Sequence, residues 1–192
     1  MDLIKTLYLE RHNEAHNGMR WLIEQLSEQQ MRGRPHEAVN SIAWLVWHVA
    51  RAEDIALNRL ATDGSQVFDD EGWAARLRVP ERHFGVDMSK AEVSALSEQV
   101  DLASLRAYWD AVRKRTIQVI DTLDSATLSL VVSPEYIHKL VFDEGVGGSA
   151  GEFVQSVWNG LTRGNYLMYM GLTHTFVHLG EVETIWSLLG VQ

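Results

Sequence analysis

The residues 174–186 read HTFVHLGEVETIW, with two histidines four apart, a glycine and then a glutamate inside an otherwise apolar stretch. At 100° per residue of an α-helix, His174, His178 and Glu181 fall within about 60° of one another. They share that face with Leu167, Met170 and Ile185, so the face is expected to look into the core. A buried neutral imidazole needs a partner at each nitrogen, and a metal ion satisfies the acceptor nitrogen of both rings at once. Eight histidines scattered over 192 positions give about 0.3 pairs at this spacing by chance, so one pair alone is weak. A third histidine strengthens it. In WLVWHVARAED, His48 sits among Trp44, Leu45, Ala52 and Ile55 on an apolar stripe. Alone it reads as a hydrogen-bonded core residue; with the pair, the better reading is one site built from His48, His174 and His178 on two facing helices.

Three neutral nitrogen ligands leave a coordination position for water or substrate, the arrangement of catalytic rather than structural metal sites. The donor set suits zinc, nickel, copper or ferrous iron. Glu181 is placed to accept an N–H from a ligating ring or to act as a general base. Arg51, one turn beyond His48, is a candidate for meeting an anionic cofactor group, although an arginine at a bundle end is more often solvated. Gly180 reads as a point where another helix approaches closely. A second pair, His12 and His16, lies among Arg11, Asn13, Glu14 and Asn17 and reads as ordinary rim or surface histidines.

The elements that must position these groups are helical. Ile4, Ala15, Met19, Leu22 and Leu26 recur at helical spacings, predicting a first helix of nearly thirty residues from Leu3. MRGRPHEAVN is a loop, with Asn40 or Ser41 capping a second helix over 41–60. Residues 62–88 lack a sustained period and predict a long excursion with one short helix around Trp73. Ser89 and Glu92 form a capping box, and a third long helix runs from about Leu102 to Leu123. Ser133 is a plausible N-cap before Pro134, while LSLVV just ahead reads equally as a short extended segment. The glycine-rich DEGVGGSAGE ends in a second expected capping box, Ser149 to Glu152, and lacks the ending of a phosphate loop. DDEGW reads as an acidic helix start or solvated turn, and the tryptophans, including Trp44, Trp47, Trp109, Trp158 and Trp186, as chiefly core. A last helix is expected over about 164–189, stopped by Gly190.

Four long helices with two long connections predict an all-α, four-helix bundle, a single domain over 1–192. A chain of this length with 46% hydrophobic residues buries roughly 70% of its unfolded surface in one core. The net charge of −9 and the lack of a basic stripe disfavour a polyanion partner, so no nucleic-acid partner is expected. No signal peptide or long apolar run is evident, which predicts a soluble, cytoplasmic protein without a membrane partner. There is no cysteine, so any thiol that reacts here comes from outside.

NSIAWLVWHVARAED, LRAYWDAVR and HTFVHLGEVETIWSLLG together resemble the DinB superfamily, the DinB/YfiT-like metalloenzymes, over essentially the whole chain. The resemblance implies up-down-down-up connectivity, a homodimer, and a divalent metal on the positions matching His48, His174 and His178. It also implies a transferase or isomerase using a low-molecular-weight thiol such as bacillithiol, mycothiol or glutathione, with an electrophilic small molecule as substrate. Glu181 stands where many members carry glutamine. The leading expectation is a metal-dependent transferase that activates a bound thiol. A metal-dependent hydrolase with Glu181 as base, and a non-catalytic, stress-related metal-binding module, are the alternatives.

Overall fold

The structure is a computed structural model that describes residues 3–70 and 72–190. It is all-α, with an isolated β-bridge between Val131 and Thr162. In chain order the helices are α1 (Leu3–Glu24), α2 (Glu28–Arg32), α3 (Ile42–Ile55), α4 (Val67–Asp70), α5 (Trp73–Leu77), α6 (Lys90–Gln99), α7 (Leu102–Thr122), α8 (Ser125–Ser129), α9 (Pro134–His138), α10 (Gly151–Trp158), α11 (Arg163–Met168) and α12 (His174–Leu188). Widened π-helical turns extend α3 over Ala56–Ala61 and α9 over Lys139–Asp143, and Tyr169–Thr173 joins α11 to α12. The long helices pack in a ring, α1 against α7 and α12, and α3 against the same two. No helix among the described residues is long and apolar enough to cross a membrane.

Helix α1 is shorter than its periodicity predicts. Ser27 and Gln30 form a capping box that starts α2, and a new N-terminus cannot begin without ending the previous helix. Ile4, counted with the core stripe, is exposed, whereas Ala15, Met19 and Leu22 are buried. Ser41 caps α3, Ser89 and Glu92 cap α6 reciprocally, and Ser133 caps α9 with Pro134 in its first turn. The expected box at Ser149 does not form. A 3₁₀ turn over Gly148–Ala150 leads straight into α10, whose cap residue is Ala150 without a side-chain hydrogen bond. The box near the last helix is instead Thr162 with Asn165, heading α11. The 62–88 excursion carries two short helices rather than one; of DDEGW, Glu71 lies outside the described residues. LSLVV resolves into the end of α8 and the bridge at Val131. Of the named tryptophans, Trp44, Trp47, Trp109 and Trp158 are buried, and Trp186 packs half-buried against the core.

Every residue of α3 is buried, including Arg51, Glu53 and Asp54. A charge can be central in a bundle only if its partners are built around it, and here they position the functional side chains. The Asp54 carboxylate accepts the backbone N–H groups of Val67 (2.8 Å) and Phe68 (2.9 Å) and the Tyr108 hydroxyl (2.7 Å). It thereby anchors the start of the excursion to α3. Arg51 stacks its guanidinium 4.0 Å from the Phe68 ring centroid, pairs with Asp54 at 3.5 Å and donates to the Arg82 carbonyl. Arg82 in turn grips Asp69 through two hydrogen bonds of 2.6 and 2.9 Å. The excursion is thus tied down at both ends of a segment that delivers Phe84 to His48.

Candidate metal centre

Three imidazoles meet between α3 and the start of α12. His48 Nε2 lies 3.0 Å from His174 Nε2, and His178 Nε2 lies 3.2 Å from the same atom. The remaining nitrogens decide what this contact is. His48 Nδ1 contacts the Phe84 carbonyl oxygen, which only accepts, so Nδ1 carries the proton and Nε2 presents a lone pair. His178 Nδ1 donates to Glu181 Oε2 at 2.9 Å, which leaves its Nε2 as a lone pair too. His174 can donate to only one of two acceptors, so the cluster alone always leaves a lone pair unmatched. A cation at the common point satisfies all three. Two nitrogens each about 2.0–2.1 Å from one ion lie about 2.9 Å apart at octahedral angles and about 3.3 Å apart at tetrahedral ones, and the observed separations fall in that range.

Two of the rings, His48 and His174, are held neutral. Burial, then the fields of His174 and His178, pushes His48 well below the usual histidine range, against the Phe84 carbonyl. Burial and the field of His178 bring His174 down to about 3. Neutral imidazole is the form that ligates a metal. Trp44 stacks on the His48 ring at 4.6 Å and Phe84 on its other neighbourhood at 5.8 Å, fixing its plane.

The three predicted ligand positions are therefore brought together, with one difference from the predicted face. On α12 the buried stripe is Thr175, Leu179, Val182 and Ile185, while His174 and His178 are half-buried at its edge. The wide turn at Tyr169–Thr173 breaks the 3.6-residue period, so counting from Leu167 and Met170 mis-sets the face beyond it. This edge position opens the rings to a cavity of about 170 Å³ lined by His48, His174 and apolar side chains, among them Phe84, Trp158, Tyr169 and Met170.

Glu181 sits beside the triad through its bond to His178. Arg51, expected as solvated or as an anion contact, is fully buried, does not line the cavity, and is taken up by Asp54, Tyr108, Phe68 and the Arg82 carbonyl. Gly180 is exposed, with nothing within 4 Å of where a Cβ would stand; glycines approached closely by another long helix or its extension include Gly18, against Leu179, and Gly171, against Leu57 and Tyr8.

The largest correction concerns His12 and His16, which are buried rather than at the rim. His12 Nε2 lies 2.7 Å from Glu53 Oε1 and His16 Nε2 3.1 Å from Glu53 Oε2, while Thr116 Oγ1 donates to Oε1 at 2.6 Å. Like the triad, these three residues bring potential ligand atoms close to one another. The pairing differs, because here the Nε2 of each ring meets a carboxylate oxygen, so at those atoms donor and acceptor match without an ion, while both Nδ1 atoms are buried without a partner. Burial alone would raise the Glu53 carboxyl, yet the fields and hydrogen bonds of His12 and His16 hold it well below the usual range. Burial lowers His16 in spite of Glu53. Polar neighbours along α1 masked this hub, since the partner carboxylate is 41 residues from His12 in the chain. Phe84 was likewise invisible to periodicity, because its backbone oxygen, not its side chain, orients His48.

Comparison with known proteins agrees with this architecture. A solved structure, a conserved protein of locus from Enterococcus faecalis, superposes with a TM-score of 0.74 over 98% of this chain and 97% of that one, at 18% identity. The comparison with curated proteins gave no match. The family model of the DinB superfamily matches residues 11–182. The chain, with its all-α fold and clustered histidines, belongs to the DinB superfamily.

Proposed function

We propose that the protein is a divalent-metal-dependent transferase acting with an external low-molecular-weight thiol, with His48, His174 and His178 as the metal ligands. The observation that carries the reading is the convergence of three Nε2 atoms whose opposite nitrogens are already committed on two of the rings. Zinc, nickel or ferrous iron fits the donor set. When bound, such an ion supplies a Lewis-acid position at which an external thiol loses its proton near neutral pH. The chain's own residues do the rest. Phe84 and Glu181 fix the tautomers of His48 and His178, Trp44 holds the His48 plane, and the apolar cavity excludes water from one side of the cluster. The absence of cysteine removes any internal thiol that would compete. A homodimer, as the family resemblance suggests, and a cytoplasmic location are part of the same proposal.

Glu181 as a general base for a hydrolase is the weaker reading, because its carboxylate is spent on the His178 N–H. The test is metal content followed by thiol titration. One ion per chain is expected for the wild type, near zero for His48→Ala, and one for His12→Ala, whose site pairs without an ion. On the cobalt-substituted protein, added thiol should produce a sulfur-to-cobalt charge-transfer band. Metal binding that survives His48→Ala, or a cobalt spectrum indifferent to every thiol tried, overturns the proposal.

A further inference from the structure

The cavity beside the triad, about 170 Å³, is walled by aromatic and aliphatic side chains. An apolar protein cavity of about 150 Å³ accommodates one benzene ring. Phe153, Val157 and Tyr169 on its wall are 62%, 44% and 55% exposed, so the apolar surface continues outward as a rim. Adjoining it, with Val86 and Phe153 in both linings, lies a larger cavity of about 510 Å³ whose charged lining residues are Asp87 and Glu152. Neither lining holds a lysine or arginine. The arginine nearest along the chain to His48, Arg51, is enclosed by its own partners. A carboxylate or phosphate entering here would lose water without meeting a lysine or arginine on either lining, lie close to two carboxylates, approach a chain of net charge −9, and find a positive charge only in the ion held at the triad.

We infer that this cavity binds an uncharged, ring-sized apolar group of the substrate, and that the vestibule discriminates against anionic substituents while tolerating neutral or cationic ones. The inference rests on the proposed function in taking the triad as the reacting end of the cavity. It narrows the electrophile to an aromatic or compact branched aliphatic molecule without a carboxylate or phosphate on the part that enters.

The experiment uses the cobalt-loaded protein and two probes of similar size, 4-mercaptobenzoate and its methyl ester, with affinities compared per thiolate because the ester withdraws more and its thiol is more acidic. Each is titrated by the charge-transfer band. The ester should bind at least tenfold more tightly, and Val157→Lys, a change at an exposed wall position, should bring the ratio within about threefold. Equal or tighter binding of the acid to the wild type overturns the inference. A parallel measurement needs no thiol: saturation-transfer NMR with toluene and with p-toluate on the metal-loaded protein. Toluene contact suppressed by Val157→Lys, with weaker contact from p-toluate, supports the inference even if no thiol band ever develops, an outcome that sinks the thiol reading alone. Rim resonances of Val157 and Tyr169 that answer to protein concentration and not to any probe would assign the rim to a second copy of the chain and overturn it.

Discussion

Replacing Glu53 by alanine tests the hub that joins α1, α3 and α7. The carboxylate is fully buried and is the shared partner of His12, His16 and Thr116, at 2.7, 3.1 and 2.6 Å. Its removal strands two imidazoles and a hydroxyl in a dry interior, and breaking a buried charged network by deleting one member costs about 3–5 kcal/mol. Glu53→Gln keeps the shape and one carbonyl acceptor, and His16 can change tautomer to receive the amide N–H, so that variant should lose only about 1–2 kcal/mol. Urea unfolding followed by tryptophan fluorescence measures both. With a slope near ~2 kcal/mol/M the alanine midpoint falls by about 1.5–2.5 M. The pH dependence carries a separate signature. Glu53 titrates below its ordinary value of 4.5 and His16 below its ordinary 6.5 in the folded state. Both therefore lend stability that is present above those ordinary values and is lost as pH falls, His16 starting near 6.5 and Glu53 near 4.5. Glu53→Gln should remove the carboxylate's share of the loss below 4.5 and extend the His16 share to lower pH, because Glu53 holds His16 up against burial. A Glu53→Ala midpoint within about 0.3 M of wild type, with an unchanged acid limb, would refute the reasoning.

Glu181→Gln exchanges the charged acceptor of the His178 N–H for a neutral one and should weaken metal affinity by about 10–100-fold without changing the fold, read by competition with a chromophoric chelator. Unchanged affinity would mean that His178 does not depend on that bond. Gly171→Ala places a Cβ 2.7 Å from both Leu57 Cδ2 and Tyr8 Oη, in the wide turn before His174, and should destabilise by about 1–3 kcal/mol in thermal unfolding. A neutral result there would show that α1 and α3 yield easily at this contact.

Periodicity and capping residues were enough to establish an all-α chain and the starts of α3 and α6, and the four-residue spacing put His174 and His178 side by side. These are properties of neighbours one or two helical turns apart, and such properties are written locally. What depended on tertiary structure was everything that pairs distant segments or resets a helical period. His12 and His16 read as rim residues because their sequence neighbours are polar, yet Glu53 arrives from another helix to bury them. Arg51 read as solvated because nothing nearby in sequence neutralises it, whereas Asp54, Tyr108 and the Arg82 carbonyl do so in space. The wide turn before His174 moved His174 and His178 from the middle of the buried stripe to its edge, where a cavity reaches His174. Residue types limit what a site can bind, but charge compensation and access depend on what folding brings within a few ångströms, and that distance has no counterpart along the chain.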